Sequence, residues 1–526
     1  MKKYLNKFLI LALVIASVGC SKDFLDTAPT DSAAAKDALS TPANMMVVLN
    51  GMHRNMYGQS ELGSYSYAGE GYLMPMFEFP ASDALHSTSG NGWFRRNLQW
   101  IRHTDPTSSD LTWTWYHYYH LIMTANNIIN AADGMVEDEL LSNVLGQAYA
   151  YRAWGHFNLV RLWGRNYVHG NPSADKAIPY MTKTEAPFEG QARETVGEVY
   201  TKLIADISKS LEYFKNASSR GSDKSHINID VANGLAARIY LTKGDYTNAA
   251  KHAKLAYGSY TLMDEDKYKS GFNSVNNSEW MWGGNVVADQ TTYYRAWFYY
   301  IGTNFNGSQN RGNPKFINHL LYAEISDTDW RQGIWDPKTP NSIDGWEEDP
   351  NYATKSEFDA ARKAFLLKND MSKRFKTYPY MSTKFKNKNG STIESDDILY
   401  MRAAEMYLIE AEALARSGND AGASQSLLDL VSTRDPSYVK STNTGNALIE
   451  EIKIQRRIEL WGEGYRWFDM LRYDEALDRT GTGADIKLYT AKGFNQPKPS
   501  TNDDWLFKIP LQEINANDKI NSADQN

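Results

Sequence analysis

The stretch 447–472, ALIEEIKIQRRIELWGEGYRWFDMLR, constrains this chain more than any other. Ile454, Ile458, Trp461, Tyr465 and Phe468 recur at helical spacing and form one apolar stripe. Leu460, Trp467 and Leu471 make a second apolar row beside it. Arg456, Glu459, Glu463 and Arg466 fill the remaining strip, with opposite charges three residues apart at each end. Such pairs add only about 0.2–0.5 kcal/mol each when exposed. A helix that is apolar around most of its girth belongs inside a protein, so this one is expected as a buried strut with an internal row of ion pairs. Gly462 and Gly464 interrupt it at a cost of about 1 kcal/mol each relative to Ala. Either a neighbour approaches closely there, or the helix breaks and re-forms through Trp467.

Other helices are expected to surround the strut. Helical periodicity runs over about 42–57, 112–135, 142–164, 195–214, 230–246, 247–259, 402–415 and 421–431. Ala236, Ala237 and Tyr240, then Gly244-Asp245-Tyr246, then Ala249 and Ala250 give a rhythm of small and large residues. It has the form of tetratricopeptide helix pairs, with the Gly-Asp-Tyr as the turn. The rhythm recurs around Gly418-Asn419-Asp420, and about four such pairs are expected. Two long stretches, 58–110 and 260–398, lose the helical period. Within the second, 277–287 suggests a strand, 291–305 is densely aromatic and 341–352 reads as loop. Residues 506–520 read as an extended run with Pro510 and a short turn. Loops this long in a globular protein are more often functional than idle.

The chain has 526 residues and a formal net charge of −7, which argues against a nucleic-acid partner, since phosphates demand a basic face. Residues 1–19 have the form of a secretory signal: Lys2, Lys3 and Lys7, then an apolar run over 8–18 too short to span a bilayer. Cys20, the only cysteine, follows at once and cannot form an internal disulfide. Its setting resembles a bacterial lipoprotein processing site, although Ser17 stands where Leu is usual. On this reading Cys20 carries the lipid, 20–40 is a tether, and the lipid alone holds the chain to a membrane.

Several landmarks then coincide: RAWGHFNLVRLWG (152–164), LAARIYLTKGDYTNAAKHA (235–253), RAAEMYLIEAEALARSG (402–418), RRIELWGEGYRWFDMLR (456–472) and FKIPLQEINAN (507–517). Together with the leader they resemble the SusD/RagB family of outer-membrane glycan-binding lipoproteins. The resemblance implies a mostly α-helical fold, with one SusD-like domain over 41–526 built on about four tetratricopeptide-like helix pairs. A helical part at about 41–260, a loop-rich middle at about 261–398 and a helical part at about 399–526 divide it. It further implies an outer-membrane location facing the extracellular side, and a SusC-like TonB-dependent barrel transporter as partner, on which the lipoprotein sits as a lid. No catalytic residues carry over, and no cofactor is called for; DTDW (327–330) is too weak a pattern to claim structural calcium.

Oligosaccharides present C–H faces and hydroxyl rims, so a site for them needs flat rings edged with Asp, Asn, Gln or Arg. The first loop stretch holds Asp83, Trp93, Arg95, Arg96, Asn97, Gln99 and Trp100, and the second holds Tyr293, Tyr294, Trp297 and Tyr299. The resemblance places ligand contacts after an Asp and around a Trp in the first stretch, and adds aromatic contacts in the second. Asp83, Trp93, Arg96, Trp100, Tyr294 and Trp297 are therefore the expected ligand-binding residues. Singly, each ring could equally be core. A peptide-binding member of the family, with fewer ring platforms, is the alternative. A glycan hydrolase would need two carboxylates, but Glu459 and Glu463 read as structural ion pairs within the buried strut. His117 and His120 could present imidazoles to a metal, yet no HExxH pattern completes them and their neighbours are aromatic.

Overall fold

A computed structural model describes residues 38–58, 67–184, 189–287, 297–388 and 396–526. The leader, Cys20, most of the tether, Tyr293 and Tyr294 lie outside the described residues. No helix among the described residues is long and apolar enough to cross a membrane.

Helices dominate. α1 (Pro42–Asn55) starts with Pro at its first turn and with the Thr41 side chain accepting from Asn44 N. After a buried helix, α2 (Glu70–Glu78), the frame begins with α3 (Ser109–Ala131) and α4 (Glu139–Trp163). It continues through α5 (Val196–Tyr213), α6 (Ile229–Lys243) and α7 (Tyr246–Tyr257). Each packs on the next, because small residues let the axes close: a Cβ at Gly155 of α4 would lie 2.7 Å from Ile122 of α3. At the expected Gly-Asp-Tyr turn, Gly244 takes φ 80° as the left-handed cap of α6, and Asp245 accepts from Asn248 N to start α7. Gly418 and Asn419 repeat the device between α9 (Ala403–Arg416) and α10 (Asp420–Val431); α8 is Lys355–Lys368. Although about 145 residues intervene, α7 packs directly on α9, so the loop-rich middle is an excursion from a continuous helical frame.

The strut is two helices. α11 (Gly445–Glu459) stops at Leu460, and α12 (Arg466–Tyr473) resumes after a bend in which Gly462 and Gly464 take φ 79° and 82°. Both of the alternatives read from the glycines hold at once. A Cβ at Gly462 would lie 2.7 Å from the Phe385 ring, and one at Gly464 would lie 2.9 Å from Met74 Cα on α2. The freed amides donate to Glu78, Gly462 N at 3.2 Å and Gly464 N at 3.0 Å.

The charged row is internal as expected, but its partners lie elsewhere in the chain. Glu459 meets Arg402 at 2.6 Å, Arg331 at 2.7 Å and Arg434 at 3.0 Å. Glu279 bridges Arg402 and Arg434, and Glu463 takes Arg402 at 2.8 Å and Lys384 at 2.6 Å. Arg456 and Arg466, which the spacing assigns to Glu459 and Glu463, pair instead with Asp469 and with Asp83 and Glu475. All the hub side chains are buried, where an ion pair survives only if its lone pairs and protons are satisfied.

Among the described helices of eight residues or more, two depart from the sequence reading. α2 lies in a stretch read as aperiodic; every residue of it is buried, so it shows no polar face to give a period, and Pro75 sits inside it. α8 falls in the loop-rich middle, although Thr354 and Glu357 form the capping box that would have announced it.

Short antiparallel pairs fix the excursions. β1 (Ala84–His86) lies beside β3 (Lys315–Ile317), with Ala84 opposite Ile317 and His86 opposite Lys315. β2 (Trp280–Gly284), within the expected strand, pairs with β4 (Ile398–Arg402) at the head of α9.

Candidate functional site

The β1–β3 pair brings together the two stretches that the sequence marks as aromatic and polar. Beyond β1, Thr88 N donates to Asn313 Oδ1 at 3.2 Å and Thr88 Oγ1 donates to Gly312 O at 2.8 Å. Asn91 Nδ2 then reaches across to Tyr299 Oη at 3.2 Å and Ser308 Oγ at 3.0 Å. Residues separated by more than 200 positions thus share one rim. Gly90 and Gly92, at φ 52° and 87°, turn the chain, and Phe94 at φ 60° plugs it down against Tyr300, Tyr72 and Phe79. The ring of Phe94 is buried, which leaves its neighbours outside: Trp93 is half-buried, and Asn91, Arg95 and Arg96 are exposed. The Trp93 ring centroid lies 6.2 Å from that of Tyr300 at 57°.

The rim has polar edges. Arg311, half-buried, donates to Asn306 Oδ1 at 3.0 Å beside Ser308. Arg96 lies 3.8 Å from Asp105 with both side chains open to water, a pair that holds neither in place. A hydrogen bond from the Thr107 hydroxyl holds the Asp105 carboxyl below its usual range. Beneath the rim Lys315 is buried, donating Nζ to Asn313 O at 2.7 Å, and burial pulls its pKa down to about 7. The arrangement offers one ring platform edged by amide and guanidinium donors, the groups that pair sugar hydroxyls.

Three of the expected ligand residues are interior, each for a visible reason. Asp83 is 1% exposed and binds Arg457 at 2.7 Å and Arg466 at 3.2 Å. Burial alone would raise its carboxyl, but the two guanidinium groups overcome that and hold it at about 2. Trp100, also 1% exposed, donates Nε1 to Pro80 O and packs among Trp467, Trp505 and His103. Trp297 is 1% exposed and sets its edge on the Phe385 ring. These three side chains are engaged within the frame. Trp93 and Arg96 lie at the surface, and Tyr294 falls outside the described residues. Asn97 is buried against Asp110. Asn91, Asn306, Ser308 and Arg311 join the rim without a sequence signal, because only the β1–β3 register brings them to Trp93.

The other candidates take structural positions. His117 Nε2 lies 3.4 Å from Glu70 with its ring stacked on Trp113, and His120 pairs with Asn55. Asp329 of the DTDW run is engaged by Arg331. Glu459 and Glu463 are buried inside the ionic hub.

A helical frame, a long excursion inserted between paired helices, and an aromatic rim on that excursion define a class, and the comparison with known families gives it a name. The SusD family model matches residues 163–526, and one described as "Starch-binding associating with outer membrane" matches residues 23–241. The chain belongs to the SusD family. Among its relatives, SusD-like protein P2 of Formosa agariphila is 24% identical over 99% of both chains. SusD-like protein P38 of the same organism is 24% identical over 72% of this chain and 75% of its own. A solved SusD-like carbohydrate binding protein from Bacteroides vulgatus superposes with a TM-score of 0.74 at 24% identity, over 92% of this chain and 98% of that one. A SusD superfamily protein from Bacteroides thetaiotaomicron gives a TM-score of 0.73 at 22% identity, over 92% and 99%. These likenesses establish the fold.

Proposed function

We propose that this chain is a lipoprotein of the outer membrane, lipidated at Cys20 and facing outward, that captures oligosaccharides and passes them to a SusC-like TonB-dependent barrel. It binds and does not cleave. The observation that carries the reading is the convergence of Trp93, Asn91, Arg95 and Arg96 with the 299–311 loop on one exposed rim, in a chain of the SusD family. Trp93 supplies the platform for a sugar face, Arg96 and Asn91 pair hydroxyls, and Tyr294 adds a second ring. Wild type and Trp93→Ala are to be titrated calorimetrically with a panel of oligosaccharides and a pool of peptides. Binding of a glycan that weakens about 5-fold or more in Trp93→Ala supports the reading, since ring contacts typically contribute about 0.5–1.5 kcal/mol beyond area burial. Binding of peptides alone, or a glycan affinity unmoved by Trp93→Ala, would overturn it.

A further inference from the structure

Apart from the rim, packing among α2, α4, α6, α9 and α12 leaves a cavity of about 70 Å³. That is room for about five water-sized bodies. Most charges on its wall are matched. Arg238 pairs with Glu405 at 2.6 Å, Arg456 with Asp469 at 2.7 Å, and Arg472 with Glu412 and Asp469. Arg161 is the exception: no carboxylate lies within ion-pair reach of it among the described residues. Its guanidinium is held between the rings of Phe157 at 4.1 Å and Phe468 at 3.7 Å, and Asn158 Oδ1 accepts from one of its nitrogens. It lines both this cavity and a second, smaller pocket, the latter with Arg165, Tyr200 and Thr242. Loss of water at this position pulls its pKa down to about 10, as expected for a cation without a countercharge.

The wall also carries unused donors. Arg456, 4% exposed, has Nη1 without a protein acceptor; so do Arg161 Nε and Trp154 Nε1. All three residues line the same cavity. The acid left on the wall, Glu70, has Oε1 without a hydrogen-bond donor, 3.4 Å from His117 Nε2. A buried donor left unmade is costly, and Arg161, half-buried, has in addition given up part of its water without gaining a counter-ion. Water would satisfy the donors but would bring no countercharge within ion-pair reach of Arg161. An oxyanion answers both needs, and guanidinium forks match its geometry. A protonated oxyanion would in addition offer a hydroxyl to Glu70.

We propose that this cavity binds one compact oxyanion of the hydrogen-phosphate type, which enters past Phe468 and is held by Arg161, Arg456 and Trp154. The site is independent of the glycan reading, and neither stands or falls with the other. The test is equilibrium dialysis of the folded chain against radiolabelled inorganic phosphate in a phosphate-free buffer, with circular dichroism to confirm that each variant is folded. Wild type is expected to retain one phosphate per chain, and Arg161→Met to bind at least about 10-fold more weakly, the loss of one charge-assisted contact. Arg161→Lys, which keeps the charge but loses the fork, should fall between them. Arg165→Met, in the second pocket, should bind as wild type. A wild type that retains no phosphate, an Arg161→Met variant that binds as wild type, or a loss of binding in Arg165→Met alone would each overturn the proposal.

Discussion

Replacing Gly464 by Ala tests whether the bend between α11 and α12 is fixed by close approach or only by backbone conformation. Gly464 has φ 82°, and an added Cβ would lie 2.9 Å from Met74 Cα and 3.0 Å from its Cβ. Met74 belongs to α2, which is buried along its whole length and cannot step aside. A left-handed conformation costs Ala about 1–2 kcal/mol, and forcing a methyl into a packed interior adds about 1–3 kcal/mol. The loss of unfolded-chain freedom returns about 0.4–1 kcal/mol. Gly418 supplies the control, because it has φ 81° with nothing within 4 Å of its would-be Cβ. Gly418→Ala therefore carries the conformational cost without the collision. In urea unfolding, Gly464→Ala should be less stable than Gly418→Ala by about 1–3 kcal/mol, the packing component alone. Equal losses in the two variants would refute the argument that α2 dictates the glycine.

Three further outcomes are expected. Burial first, and then the nearby charge of Asp83, push the Glu78 carboxyl up from 4.5 to about 8, against the pull of the Gly462 and Gly464 amides. A raised carboxyl favours the fold while protonated, so its contribution is complete below about pH 4.5 and is lost as pH rises through about 8. Glu78→Gln should accordingly gain a few kcal/mol over wild type in unfolding measurements at about pH 8.5 relative to about pH 5; a gain that does not change with pH would contradict the assignment. Glu459→Gln removes the charge facing Arg331, Arg402 and Arg434 and should destabilise by about 3–5 kcal/mol in chemical denaturation, whereas a neutral effect would show the hub dispensable. Trp93→Ala should lower glycan affinity with little change in melting temperature, while Trp297→Ala should lower the melting temperature by removing a buried ring; the reverse pattern would place the ligand against the interior.

Sequence patterns legible along the chain gave the helical frame, because amphipathic stripes, alanine contacts and Gly-Asp turns are local signals. The helices at 139–163, 229–243 and 403–416 fall close to where their periodicity put them. α2 escaped because burial on every side erases a period, and α8 escaped because its capping box was outweighed by the aperiodic stretch around it. The site was legible as composition but not as orientation. Trp93, Trp100 and Trp297 are the same residue type in loop-rich surroundings. Whether a ring faces water depends on what lies beneath it: Phe94 turned inward at φ 60° in the first case, a cage of Trp467 and Trp505 in the second. The interior place of Asp83 was hidden for a similar reason, since its arginine partners arrive from more than 370 positions away.

The ionic hub has a consequence for the order in which the molecule assembles. Its members come from Glu279 just before β2, from the excursion at 331 and 384, from β4, from Arg434 just beyond α10, from the end of α11 and from Glu463 in the bend after it, so the complete set is drawn from 279–463. Until Glu459 and Glu463 arrive, Arg402 and Arg434 share the single carboxylate of Glu279 and Lys384 has none, so a collapsed intermediate must keep water at its centre. Such distant closures raise contact order and slow the final step. The middle excursion, loop-rich as it is, is therefore expected to lock in together with the helices on either side of it, since the hub closes only when both are in place.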